Sequence, residues 1–129
     1  MKMTSSLILC ILALAANAAH ADFEPFAKDQ DGQQLFVDKS SIVRDGRLTR
    51  IWTGLNYARP RNIDGTIARS SKVQVELDCQ GGRIHFVHTV YYPELDAQGR
   101  VILSEPTLDP WSPIIPGSVG DTTRKLLCK

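Results

Sequence analysis

Residues 72–79, Lys-Val-Gln-Val-Glu-Leu-Asp-Cys, alternate without a break. Val73, Val75, Leu77 and Cys79 fall on one side, and Lys72, Gln74, Glu76 and Asp78 on the other. Side chains of an extended chain point to opposite faces in turn, so a two-residue period marks a strand with one face buried and one in water. Strands of that kind belong to antiparallel sheets. On the C-terminal side, Gln80-Gly81-Gly82 reads as a tight turn into a strand over 83–92 that is apolar on both sides and therefore central. On the N-terminal side, Pro60 to Gly65 reads as a loop. Before it, 47–57 forms a strand with Ile51, Leu55 and Tyr57 on one face and Trp52 on the other. Asp45-Gly46 is a strong two-residue hairpin signal and pairs this strand with 41–44. Short runs at 34–38 and 99–105 complete five or six strands, after which Pro106, Pro110, Pro113 and Pro116 exclude regular structure.

Beyond Pro116 the period changes from strand to helix. Ser118 supplies an N-cap, Asp121 lies in the first turn, and Arg124, Lys125 and Lys129 lie toward the end, the arrangement that complements a helix dipole. Val119, Thr122 or Thr123, and Leu126-Leu127 form a stripe at helical spacing. The fold class read from these elements is α+β, an antiparallel sheet with a C-terminal helix packed on it.

The first 21 residues read as a secretory signal peptide. Lys2 gives a basic n-region, Leu7 to Ala16 is an unbroken apolar run, and Ala19-His20-Ala21 places small residues before a cleavage site ahead of Asp22; a cut after Ala18 is the alternative. The run is well short of the roughly 20 residues that span a bilayer. Cys10 follows Leu9 where a lipidation signal needs a small residue, so it is filler within the apolar run. The expected domain is 22–129. Its basic and acidic residues balance, which removes the electrostatic footprint of a nucleic-acid-binding protein. With 43% hydrophobic and 22% charged residues, the chain has the composition of a folded domain, not a disordered one. Cys79 and Cys128 are the only cysteines of 22–129, so in an oxidising compartment one disulfide is expected between them, with two free thiols as the other reading.

Several features together resemble one family. They are Trp52 in R-x-W-x-x-x-N-Y, the run Arg69-Ser70-Ser71-Lys72 leading to Glu76-Leu77-Asp78-Cys79, the pair Tyr91-Tyr92, and Trp111-x-Pro-Ile-x-Pro-Gly-Ser-Val-Gly120 ending in Leu127-Cys128. In this order and spacing they resemble the surface-adhesin protein E family of bacteria over about 34–128. The resemblance implies a small antiparallel sheet with a disulfide-held C-terminal helix. It also implies a noncatalytic binding protein of the bacterial surface that pairs as a dimer and adheres to host extracellular-matrix or serum proteins. The alternative from another class is a structural or envelope accessory of the periplasm.

No catalytic, cofactor or metal site is expected. His85 and His88 lie three apart on one strand, which places them on opposite faces. Asp29-x-Asp31-Gly32 opens like a calcium loop but lacks the later oxygen ligands, and reads as a turn. No nucleophile elbow, zinc-protease motif or phosphate loop occurs. The candidate binding surface comes from charge. Residues 44–72 carry an excess of five positive charges, balanced by an equal acidic excess over 76–121. Arg47, Arg50, Arg59, Arg61 and Arg69 form either a basic face for an acidic partner or a solvated face paired with Glu76 and Asp78. Tyr91, Tyr92 and Trp111 read as interface anchors or as packing residues, with Tyr91 the stronger candidate anchor.

Overall fold

The computed structural model describes residues 23–128. The signal segment at 1–21 and its cleavage site therefore lie outside the described residues. The elements in chain order are β1 (Phe23–Lys28), β2 (Gln34–Asp45), β3 (Leu48–Ile63), β4 (Thr66–Asp78), β5 (Arg83–Tyr92), β6 (Leu103–Pro106), β7 (Ser112–Pro113) and α1 (Val119–Leu127). The first six strands lie side by side in sequence order, all antiparallel, and β7 pairs with the beginning of β5. Among the described residues the architecture is thus mostly sheet, with one helix.

The 72–79 alternation is met within β4, where Val75 and Leu77 are buried. With Val37 of β2, Ile51 of β3 and Leu127 of α1 they form the core, flanked by Phe26, Ile42, Ile84 and Ile114. Burying side chains of this size contributes roughly 1.5–3 kcal/mol each. Ser118 caps α1 by accepting from the Asp121 N–H at 3.2 Å. At the other end the Arg44 guanidinium donates to the Leu127 carbonyl at 3.1 Å, satisfying an orphan acceptor with a favourable charge. The Cys79–Cys128 disulfide joins the end of the helix to the end of β4, with Cα atoms 5.6 Å apart.

Four expectations change. Residues 34–38 and 41–44 are one strand, β2, with a bulge between Asp38 and Val43 where Asp38 binds the Ser40 N–H and hydroxyl and Ser41 donates to the Asp38 carbonyl. The 60–65 segment is not a loop. Strand β3 runs through Pro60 to Ile63 and turns at Asp64-Gly65 into β4. Pro60 is tolerated because β2 pairs with β3 only up to Gln34–Asn56, so beyond that point one side of β3 has no ladder to interrupt. The sheet has seven strands, because Phe23–Lys28 pairs with β2 and a two-residue bridge at Ser112-Pro113 falls within the proline-rich segment. The 99–105 strand is observed at Leu103–Pro106.

Asp78, expected in water, is 2% exposed. Its carboxylate accepts from the Gly81 N–H at 2.9 Å and from Arg83 at 3.1 Å, with Arg47 at 3.3 Å. Gly81 is required there, since a Cβ would collide with that carboxylate. These donors, the Gly81 amide first, hold the Asp78 carboxyl below its usual range against the opposing effect of burial. Asp121 is held at about 2, chiefly by the Gly117 N–H and by Arg124. Both acids bind protons less readily when folded. Their contribution to stability is therefore full above the unfolded carboxylate pKa and is lost as pH falls from about 4 toward 2. Urea-unfolding midpoints measured across that range should drop steeply, and Asp78→Asn should flatten the drop. A wild-type midpoint insensitive to acid would contradict this.

Candidate functional site

The sheet separates the expected basic residues into two groups. Arg50 forms an ion pair with Glu76 at 3.0 Å, and Arg47 reaches the buried Asp78. These two fit the solvated face paired across strands. The other three lie at the far end of the β3–β4 hairpin. Arg61 pairs across to Ala68, eight positions along β4 from Glu76, a separation of about 26 Å at strand rise. A single five-arginine face is therefore not formed.

At the hairpin end Arg59 and Arg61 share one surface. The Arg61 guanidinium lies 4.3 Å over the buried Tyr57 ring and donates to the Gln33 side chain at 3.1 Å. Arg59 shares a surface groove with Arg61, Asp31 and Gln33. Arg69 follows Ala68, the Arg61 cross-strand partner, so its side chain leaves β4 on the other face. Neither Arg59 nor Arg69 forms an ion pair or a hydrogen bond among the described residues, and both are exposed. Tyr91, on β5 opposite Ser71, belongs to the same end. Burial pushes its phenol pKa up, with smaller contributions from Tyr57 and Glu105, while Arg61 opposes the rise. It therefore stays a neutral hydroxyl at physiological pH. The Asp29–Asp31 segment closes the groove as the expected turn, with Asp29 accepting from the Asp31 and Gln33 amides at 2.9 Å.

The histidine geometry is a correction. His85 pairs with Glu76 and His88 with Gln74, two positions on the same face of β4, so both histidines share a face. The register shift between Gln74 and Val75 accommodates an extra residue, Val87, on β5, and one extra residue reverses the parity. They have separate partners. His85 sits 5.1 Å from the Trp111 ring and 3.7 Å from Glu76, while His88 meets Trp52 edge-on and Ser104 at 2.7 Å. No carboxylate orients His88 behind Ser104 among the described residues. No group of three metal-ligating side chains occurs among them either. Trp111 lies against His85 and under Arg83, on the face opposite the helix. Sequence reading missed Lys72, whose ammonium lies over the Trp52 and Tyr92 rings. The available signal was Trp52 at a polar-face position of β3, two strands' width from Tyr92.

A six-stranded antiparallel meander with a short seventh strand beside β5, pinned to a C-terminal helix by a disulfide and carrying the exposed Arg59 and Arg69 near its β3–β4 turn, is a small β-rich domain. The model of the surface-adhesin protein E family matches residues 23–129, and the chain belongs to that family. Among solved structures it is similar to protein E of Haemophilus influenzae, with a TM-score of 0.63 at 17% identity over 82% of this chain and 83% of that one. The selenomethionine form of the same protein gives 0.63 at 18% over 82% and 84%. Protein E from non-typeable Haemophilus influenzae gives 0.61 at 17% over 82% and 74%. At these identities the likeness is one of fold. No curated protein matches the chain. Among the described residues, no helix is long and apolar enough to cross a membrane.

Proposed function

We propose that this chain is an exported, noncatalytic adhesin whose docking surface is the tip of the β3–β4 hairpin, and that its partner is an acidic segment of a host matrix or serum protein. The observation that carries the reading is the pair of exposed guanidinium groups of Arg59 and Arg69, which have no ion pair or hydrogen bond among the described residues, at the hairpin end where Arg61 stacks on Tyr57. Family membership supports a binding protein of the bacterial surface. Charges at an interface rim act mainly on association rate. Arg47 and Arg50 are already engaged with Asp78 and Glu76 and play no part in the encounter.

The test is surface plasmon resonance of residues 22–129 against immobilised matrix and serum proteins at several salt concentrations. Arg59→Ser with Arg69→Ser should lower the association rate by roughly threefold to tenfold near physiological ionic strength, where the screening length is about 8 Å, and should reduce its salt dependence. These residues are preferred to Arg61 because Arg61 is tied into the strand through Tyr57 and Gln33. Arg50→Ser should leave the rate unchanged. An unaltered rate and salt slope in the folded double variant would move the site elsewhere. Protection of the protein from external protease on intact cells would favour a periplasmic accessory instead.

A further inference from the structure

The helix-free face of the sheet holds a second site. A groove of about 520 Å3 lies over β3 and β4, between β1–β2 on one side and the 93–99 turn on the other. Its volume falls within the roughly 300–1,000 Å3 typical of small-molecule sites. The Phe23 and Phe36 side chains form one wall and Tyr92 lines the groove with Lys72. Gly54 allows the walls to close on the floor, since a Cβ there would meet Phe23 at 3.3 Å and Phe36 at 3.5 Å.

The opposite wall is built with care. Asp96 and Ala97 are consecutive non-glycine residues in the left-handed region, at φ 59° and 54°. Such backbone is costly for a residue with a Cβ and persists where its surroundings impose it. Here Asn56 clamps Asp96 twice, donating to its carboxylate at 2.7 Å and accepting from its N–H at 2.8 Å. Ser70, 1% exposed, accepts from the Ala97 N–H at 3.0 Å and donates to the Glu94 carbonyl. One Asp96 carboxylate oxygen is left without a partner among the described residues.

Lys72 is half-buried in this groove. Its ammonium lies 5.1 Å from the Trp52 ring centre and 5.8 Å from that of Tyr92, and it makes no ion pair or hydrogen bond among the described residues. Two aromatic faces can hold a cation in place, but they leave its hydrogen-bonding capacity unused. A ligand carrying one negative charge would complete it. The single cation facing a carboxylate disfavours a doubly charged phosphate, whereas a monoanion bearing hydroxyls satisfies both groups. Aromatic walls add the apolar contact that the C–H face of a sugar ring offers.

We propose that this groove binds a carboxylated pyranose, an acidic sugar residue at the end of a glycan, with its carboxylate on Lys72 and ring hydroxyls on Asp96. The site is separate from the hairpin tip and holds whether or not Arg59 and Arg69 dock a protein. The experiment is an NMR titration of the labelled protein with sodium glucuronate, N-acetylneuraminate, glucose, inorganic phosphate and phenylalanine. Millimolar binding of at least one of the two acidic sugars should shift the Gly54 and Gln98 amides, with a much weaker response to glucose. Lys72→Met should weaken that binding about tenfold, and Lys72→Arg should retain most of it, both at unchanged melting temperature. The wild-type comparison of glucuronate with glucose needs no variant. Equal response to glucose, preference for phosphate or phenylalanine, or no response to either acidic sugar would overturn the assignment.

Discussion

Cys79→Ser should lower the unfolding free energy by about 4 kcal/mol, the chain-entropy value for a closed loop of this length, as the two cysteines are 49 positions apart. The loss should be uneven. Strands β1 to β5 keep their ladders, but α1 is nine residues long and too short to persist alone, so its amides should exchange far faster than those of β3 and β4. Denaturant unfolding gives the first quantity and hydrogen exchange the second. A variant whose helix amides stay as protected as those of the strands would show that Leu127 packing and the Arg44 contact hold α1 without the covalent link.

The second large effect is expected at Leu77. This side chain is fully buried among Val37, Ile51, Val75 and Leu127, where sheet and helix meet. Leu77→Ala removes apolar surface from the core and leaves a cavity that a disulfide-pinned helix cannot readily collapse to fill. The expected cost is about 3 kcal/mol, within the range for buried leucines. Val43→Ala serves as the control, since Val43 is 56% exposed and should change stability by less than about 0.5 kcal/mol. Urea midpoints of the two variants separate these cases. Near-equal values would mean that Leu77 is not at the centre of the core.

Cys79 and Leu77 are both legible in the sequence, because the signals that place them are local. The β4 alternation, the Asp45-Gly46 turn and the Ser118 cap each depend on a few neighbouring residues, and tertiary packing agrees with them. The features that sequence reading misses depend on partners distant in the chain. Nothing within Phe23–Lys28 marks a strand, since Pro25 breaks the pattern, and only β2 alongside makes it one. Pro60 can be strand only because β2 ends earlier. The shared face of His85 and His88 follows from a bulge that spacing alone does not announce. Asp78 sits in a polar position of β4 and is buried because Gly81, Arg83 and Arg47 satisfy it from outside the strand. The arginines are recognisable as a group, but sorting Arg47 and Arg50 from Arg59 and Arg69 requires knowing where their acids lie.

The order of the strands has a bearing on how the molecule is made. Each strand from β1 to β6 pairs with the one before it, so a chain emerging from its N-terminal side can zip progressively, each new strand meeting a partner already in place. The helix is the exception. Its packing partners on β2, β3 and β4 all precede it in the chain, and Cys79 can pair with Cys128 only once that residue has been made. Within 22–129 no third cysteine is present to trap it in a wrong bond. Every strand precedes Cys128 in the chain, so the covalent link fastens a sheet whose strand order it does not set.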